Sequence, residues 1–297
     1  MATAALILVT AVWGITFVQV KDAVELYPLV AFLAVRYAIA SAALAPFSVM
    51  RLQTLGRSGL FAGGVLGGLV ALGIGLQTAG LARTTVTSAG FITGLYVLFT
   101  PLLALALFRT PIPRELWAAV ALALIGLALL SGVPAGSAAG DLLVLMSTVA
   151  QAFQIVMVER YANRYDVFAL TFVQIAVACL VFLVLAVALG DLSVPRGATV
   201  WAALLVTGLF AVAFAYLVQV WAQRRVSATR IAIVFSLETV FAGLAGYLFA
   251  GDRIGAVGLA GCAAILAGIV IAEPAAAATL RRLVGRPEPA PGPRPLG

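Results

Sequence analysis

The sequence predicts an all-α integral membrane protein with ten transmembrane helices arranged as two inverted five-helix repeats. Three observations lead to this fold class. Of the 297 residues, 64% are hydrophobic and only 10% are charged, against about 25% charged in an average soluble domain. Apolar runs long enough to cross a bilayer recur along the chain. The two halves also show weak similarity at an offset of about 140 residues, which indicates an internal duplication.

Ten apolar runs of about 17–24 residues are candidate spans. In chain order, spans one to ten are 3–21, 28–50, 59–81, 86–108, 115–132, 139–158, 166–189, 199–222, 229–249 and 254–272. No basic segment precedes the first run and further spans follow it directly, so we expect a retained span rather than a signal peptide. The remaining residues, 273–297, are rich in proline and arginine and are predicted to form a disordered basic tail.

The distribution of basic residues predicts the orientation of the chain. With the N-terminus in the cytoplasm, thirteen of the 18 lysines and arginines fall on the cytoplasmic side and four outside, with Arg36 inside a span. Cytoplasmic loops of membrane proteins carry such an excess of basic residues. We therefore expect an inner-membrane protein with both termini in the cytoplasm.

The duplication predicts where the halves divide. Residues 66–89 align with 206–229, and residues 11–40 align with 149–178, which places Arg36 on Gln174. These matches predict a first repeat over residues 1–136 and a second over residues 137–272. Because each half crosses the membrane an odd number of times, the second half inserts upside down relative to the first.

Polar and aromatic side chains recur at helical spacing inside several spans. Such groups cannot face lipid without hydrogen-bond partners, so we expect them to line a central cavity, although they also suit simple contacts between helices. The predicted substrate-binding residues are Trp13, Thr16, Gln77, Thr93, Tyr96, Gln151, Gln154, Tyr216, Gln219 and Glu238.

Other residues inside the spans indicate bending and close packing. Pro101 lies within span four and removes a backbone donor, so it is a candidate hinge or gate. The many glycines of spans three and ten favour close approach of neighbouring helices.

Two charged residues lie inside the predicted spans. Arg36 lies about 12 Å and Glu238 about 13 Å from the ends of their helices at a rise of 1.5 Å per residue, so their depths are similar. A charge in hydrocarbon is costly, so we expect Arg36 and Glu238 to face the interior and to form an ion pair. The pair has either a purely structural role or that of a titratable gate.

Several function classes are disfavoured by what the sequence lacks. The chain has no histidine, and Cys179 and Cys262 lie in apolar runs, so we expect no metal site, no catalytic residue and no cofactor. It has no P-loop motif, so we expect no ATP as a partner. The net charge of +7 lies in short loops, which indicates membrane topology and not binding to nucleic acid. The expected partners are the lipid bilayer and a small-molecule substrate.

The chain resembles the drug/metabolite transporter superfamily, in its ten-helix EamA-like branch. Besides Arg36, the residues that carry the resemblance are AVWGITFV (11–18), FTPLLA (99–104), SLETVF (236–241), AGDRIG (250–255) and GLAGCAAILAG (258–268). Members usually have Glu-Pro where this chain has Glu238 and Thr239. Within this branch the chain is most similar to bacterial amino-acid exporters of the YddG type.

The polar spans and this resemblance together predict a secondary exporter of small organic metabolites that works by alternating access. Amino acids with aromatic or apolar side chains are the favoured substrates, because aromatic residues provide flat walls and glutamines bind polar ends. Efflux of drugs or other metabolites is the alternative, and a membrane scaffold or lipid scramblase is a third interpretation. An integral-membrane enzyme is the class that the sequence favours least.

Overall fold

The structure, a computed structural model, describes residues 2–131, 137–249 and 255–272. Within these ranges the chain is helical and contains no β-strand, which confirms the predicted all-α class. The predicted tail (273–297), the boundary between the halves at residue 136 and the motif at 250–255 lie wholly or partly outside the described residues.

The helices follow the predicted order of spans. Spans one to five are α1 (Ala2–Leu26), α2 (Leu29–Ser48, extended by a 3-10 turn, Val49–Thr54), α3 (Gly56–Leu81), α4 with α5 (Val86–Gly94 and Tyr96–Phe108) and α6 (Arg114–Ser131). Spans six to ten are α7 (Ala138–Ala162), α8 (Val167–Ala188), α9 with α10 (Ala198–Val206 and Ala215–Gln223, joined by a π-helix, Thr207–Phe214), α11 with α12 (Ala228–Phe235 and Leu237–Phe249) and α13 (Ala256–Ala272).

The surface of the described helices is that of a membrane protein. Eight helical segments are long and apolar enough to cross a bilayer, and Ala256–Ala272 is a shorter apolar helix. Large apolar side chains such as Phe61, which is 71% exposed, cover the outer faces. In water such a surface promotes aggregation, whereas in a bilayer it contacts acyl chains.

The helices pack as two related halves. α6 packs against α13, and α2 packs against α8, so each of these pairs joins corresponding helices of the two halves. α1 packs against spans eight and nine, and α7 packs against spans three and four. Span one thus contacts spans eight and nine, and its counterpart, span six, contacts the corresponding spans three and four. A pseudo-two-fold axis between inverted halves requires such reciprocal contacts.

Spans four and nine are each interrupted for one residue near their middles, where Leu95 and Ser236 keep right-handed helical dihedral angles. The helix of span four stops at Leu95 and that of span nine at Ser236, positions 141 residues apart in the chain. The Ser236 hydroxyl donates a hydrogen bond to the carbonyl of Ile233, 2.6 Å away. No proline lies at the interruption in span nine, and Pro101 lies inside α5 beyond the one in span four. The hinge role of Pro101 stays a prediction.

Glycines allow the helices of the two halves to approach closely. A Cβ atom on Gly67 would lie 2.6 Å from the carbonyl oxygen of Gln174, and one on Gly14 would lie 2.6 Å from that of Glu238. A Cβ atom on Gly68, by contrast, meets nothing within 4 Å. The glycines of span three thus differ in role, since some are packing contacts and others face open space.

We expect Gly67→Ala to destabilise the protein by about 1–3 kcal/mol, because the added methyl group overlaps the backbone of α8. Thermal unfolding in detergent measures this effect as a lower midpoint temperature. The matched control is Gly68→Ala on the same helix, which has room for the methyl group and gains helix propensity. Equal midpoints for the two variants would contradict the assigned packing.

Candidate functional site

The broken spans meet near the middle of the protein. Tyr96 opens α5 directly after the break in span four, and Glu238 lies in the first turn of α12 directly after the break in span nine. The Tyr96 hydroxyl donates a hydrogen bond of 3.1 Å to Oε2 of Glu238. A second bond joins the same spans, because the Thr239 hydroxyl donates to the carbonyl of Gly90 at 3.1 Å. These two bonds bring polar groups of the two halves together inside the membrane.

The first cavity lies beside this contact and measures about 60 Å³. It is enclosed by spans one, two, three, six, eight and nine, and its lining residues are Trp13, Thr16, Phe17, Val20, Arg36, Tyr37, Ile74, Gln77, Thr78, Leu81, Gln151, Ala211, Tyr216 and Glu238. A volume of this size holds a few water molecules or a small solute. Larger solutes require the surrounding helices to move apart.

A second, smaller cavity of about 20 Å³ adjoins the first. Trp13, Gln151 and Tyr216 line both cavities and form the wall between them. The second cavity is also lined by Leu69, Val70, Tyr96, Gln154, Ile155, Gln219 and Phe235. Gln154 and Gln219 lie toward the ends of α7 and α10, on the side of the membrane where α1 begins, so the two cavities follow one another across the membrane.

The structure places nine of the ten predicted substrate-binding residues on one or both cavities. Those on the first cavity are Trp13, Thr16, Gln77, Gln151, Tyr216 and Glu238, and those on the second alone are Tyr96, Gln154 and Gln219. Thr93 lines neither cavity, but its hydroxyl accepts a hydrogen bond of 3.0 Å from Nε2 of Gln77. The part these residues play in binding a substrate stays a prediction.

The predicted ion pair between Arg36 and Glu238 is absent, although both side chains line the first cavity. An ion pair of 3.2 Å joins Arg51 and Asp166 instead, at an exposed position. Glu238 is turned toward Tyr96, whereas Arg36 lies beside the hydroxyls of Tyr37 and Tyr216. Similar depth in the membrane was therefore not enough to bring the two charges into contact.

Trp13 is fixed in the wall between the cavities by the π-helix of span eight. Its indole N–H donates a hydrogen bond of 2.8 Å to the carbonyl of Ala211 within that segment. Its ring stands edge-on to Phe235, with centroids 4.8 Å apart, and is tilted against Tyr216 at 6.1 Å. A π-helical turn widens the backbone and often marks a functional site.

Comparison with known proteins decides the family. The model of the EamA-like transporter family matches residues 1–132 and 138–272. The chain belongs to the EamA-like transporter family. This confirms the predicted membership of the drug/metabolite transporter superfamily, whereas the similarity to exporters of the YddG type stays a prediction.

Individual proteins are similar over most of their length. An uncharacterized transporter of Archaeoglobus fulgidus is 31% identical over 270 residues, which are 90% of this chain and 83% of that protein. A protein of known crystal structure superposes with a TM-score of 0.77 at 19% identity, over 95% of this chain and 98% of the other. At that identity the likeness shows the fold alone.

A chain of buried amides leads away from the second cavity of this EamA-like transporter. Gln219 donates to Gln154 at 2.9 Å and to Gln223 at 3.2 Å, and Gln223 donates to the carbonyl of Ile155 at 2.7 Å. Gln154 also donates to Gln174 at 3.3 Å. These amides satisfy one another in hydrocarbon, but Nε2 of Gln174 and Oε1 of Gln219 stay without a partner among the described residues.

Sequence reasoning missed two acidic residues on α7. Asp141 accepts hydrogen bonds from the hydroxyls of Thr84 and Ser88, at 2.6 and 2.8 Å, where α4 begins. Glu159 accepts from the backbone N–H of Ala228, at 3.0 Å, where α11 begins. One helix thus holds the start of both broken spans through carboxylates, which helix N-termini attract. The sequence signal that could have identified them was an acidic side chain near each end of span six.

Sequence reasoning also missed Tyr37, which is fully buried beside Arg36 and lines the first cavity. It lies outside the helical spacing by which the other lining residues were chosen. The available signal was a phenol hydroxyl inside an apolar span, which needs a polar neighbour.

We expect Trp13→Phe to speed hydrogen exchange in residues 207–216 by a few-fold to about tenfold. The substitution keeps an aromatic ring but removes the hydrogen bond to Ala211, a loss of about 0.5–1.5 kcal/mol. Hydrogen–deuterium exchange followed by mass spectrometry on the purified protein measures the change.

Trp201→Phe is the matched control, because the Trp201 indole donates to the carbonyl of Pro195 outside the cavity. This control should leave exchange in residues 207–216 unchanged. The assigned role of Trp13 is wrong if both variants give the wild-type exchange rate there.

Proposed function

We propose that this transporter exports small organic metabolites, with amino acids that carry apolar or aromatic side chains as the favoured class. The observation that carries the proposal is the first cavity, which combines aromatic walls with a few polar groups. Trp13, Phe17 and Tyr216 provide flat apolar surface, and Gln77 and Gln151 provide amides. This division between apolar walls and sparse polar groups is usual in sites for small molecules.

The proposed mechanism is alternating access by movement of one inverted half against the other. Two cavities that share one aromatic wall suit this mechanism, because widening one cavity and closing the other exposes a solute to alternate sides. The breaks at Leu95 and Ser236 provide places where spans four and nine can bend. In this proposal Pro101 adds a hinge to span four. The chain lacks a P-loop motif, so we expect a solute or ion gradient to drive transport.

Counterflow in proteoliposomes tests the proposed function. Vesicles loaded with unlabelled L-alanine, L-leucine or L-phenylalanine should accumulate the same labelled amino acid, and vesicles without protein should not. We expect Gln77→Ala to reduce the flux several-fold, because it removes a cavity amide and its bond to Thr93. Gln53→Ala, in the exposed 3-10 turn, is the control and should leave the flux unchanged.

The outcomes of this assay separate the candidate functions. Absence of saturable flux for the whole panel would reject amino acids as the substrate class and favour efflux of drugs or other metabolites. Flux of labelled phospholipid between leaflets, without solute flux, would instead indicate a scramblase.

We further propose that the transporter lies in the cytoplasmic membrane, the inner membrane of a bacterium, with both termini in the cytoplasm. The excess of arginine on that side supports this orientation. In a background with both native cysteines replaced by serine, Gln53→Cys should lie in the cytoplasm and Ser193→Cys outside, and both positions are exposed.

A membrane-impermeant maleimide applied to intact cells tests this orientation. It should label Ser193→Cys at once and Gln53→Cys only after the cells are permeabilised. The reverse pattern would show that the chain is inserted with its termini outside.

A further inference from the structure

Two opposite charges face the first cavity without touching each other. Arg36 is 7% exposed and Glu238 is 6% exposed, and both line the cavity. Neither side chain forms an ion pair with any described residue. A buried charge without a counter-charge is costly in a membrane, so this arrangement calls for a third participant.

Three neutral groups around the cavity donate their hydrogen bonds within the protein. The indole N–H of Trp13 donates to Ala211 at 2.8 Å, the hydroxyl of Thr16 donates to the carbonyl of Trp13 at 3.0 Å, and Nε2 of Gln77 donates to Thr93 at 3.0 Å. These bonds hold the wall in place.

Arg36 and Glu238, in contrast, retain most of their hydrogen-bonding capacity. The guanidinium of Arg36 donates to no described residue, and its Nε atom is buried without an acceptor. Glu238 accepts one hydrogen bond, from Tyr96 to Oε2, and its Oε1 atom accepts none from the described residues. The hydroxyl of Tyr37 on the same wall is likewise buried without a partner among the described residues. Arg36 and Glu238 are the two lining groups that combine unused hydrogen-bonding capacity with opposite charges.

Glu238 lies in the first turn of α12, and its Oε2 atom accepts the hydrogen bond from Tyr96. Its carboxyl group therefore lies on the cavity wall with Oε1 available to a solute.

We infer that the first cavity binds a small zwitterion, with its carboxylate on Arg36 and its ammonium group on Glu238. This inference rests on the proposed function and deepens it, because it requires both charges on one solute. A guanidinium binds a carboxylate through two parallel hydrogen bonds. The ammonium group reaches Oε1 of Glu238 and the aromatic faces of Trp13 and Tyr216, which attract cations.

The second cavity has no equivalent pair of charges. The sequence repeat places Gln174 at the position of Arg36 and Gln154 at that of Thr16, and these two amides bond to each other at 3.3 Å. The groups that line or adjoin the second cavity include Tyr96 and neutral amides. Recognition of a zwitterion is thus confined to the first cavity, and the second provides a less selective passage.

Competition in the counterflow assay tests the inference on the unaltered protein. Labelled L-alanine, L-leucine and L-phenylalanine are each challenged with the unlabelled amino acid, its decarboxylated amine and its deaminated acid. For leucine these analogues are isopentylamine and isocaproate. We expect each analogue to compete at least about tenfold more weakly than the amino acid, because it leaves one buried charge of the cavity unpaired.

Two variants assign each charge to its partner. Arg36→Gln should lose the preference for L-leucine over isopentylamine, and Glu238→Gln should lose the preference for L-leucine over isocaproate. Arg36→Lys should recover part of the lost preference. Arg51→Gln, which removes an arginine of the exposed ion pair with Asp166, is the control and should keep both preferences. Detergent melting curves establish that each variant is folded.

The outcomes distinguish failure of this inference from failure of the proposed function. If an amine or an acid competes as well as its parent amino acid, or is itself the better substrate, the zwitterion site is rejected and transport of metabolites stands. If no amino acid, amine or acid gives saturable flux, the amino-acid function fails and this inference fails with it. The analogue series needs no variant, so poor folding of Arg36→Gln or Glu238→Gln does not affect this result.

Discussion

The buried hydrogen bond between Tyr96 and Glu238 joins the two halves where each has a broken helix. Tyr96 directly follows the interruption at Leu95, and Glu238 lies in the first turn after the one at Ser236. The rings of Tyr96 and Trp13 both pack edge-on against Phe235, with centroids 6.2 and 4.8 Å away. The aromatic wall and both cavities are arranged around this contact.

The duplicated halves have diverged in chemistry more than in backbone. Thr16 and Arg36 belong to the first cavity, whereas their counterparts Gln154 and Gln174 belong to the amide cluster beside the second. In the described part of the chain, the π-helix occurs in span eight, while the equivalent part of span three is a regular α-helix. An inverted repeat supplies two similar paths toward the middle of the membrane. Substitution in one copy has left charged side chains on the first cavity and neutral ones on the second.

The sixth span connects these features to both membrane faces. Its Asp141 holds the start of α4 on one side, and its Glu159 holds the start of α11 on the other. The contact of Asp141 crosses between the halves, whereas that of Glu159 stays within the second half. Spans four and nine are therefore both hydrogen-bonded to the same helix, span four across the two halves and span nine within the second half.

The sequence by itself determined the all-α membrane fold, the order of the spans and the family, because hydrocarbon permits few structures and the apolar runs are long. Helical spacing also selected Trp13, Gln77 and Tyr216, since a polar face inside a span must point inward. The tertiary structure alone decided whether two inward-facing groups meet. It separated Arg36 from Glu238, brought Tyr96 to Glu238 and fixed Trp13 on a backbone carbonyl. The depth of a residue and the helix face on which it lies can be predicted from the sequence of one helix. Contact between residues of two helices depends on helix interruptions, close approaches at glycines and the positions of backbone carbonyls, which are set only when the helices pack.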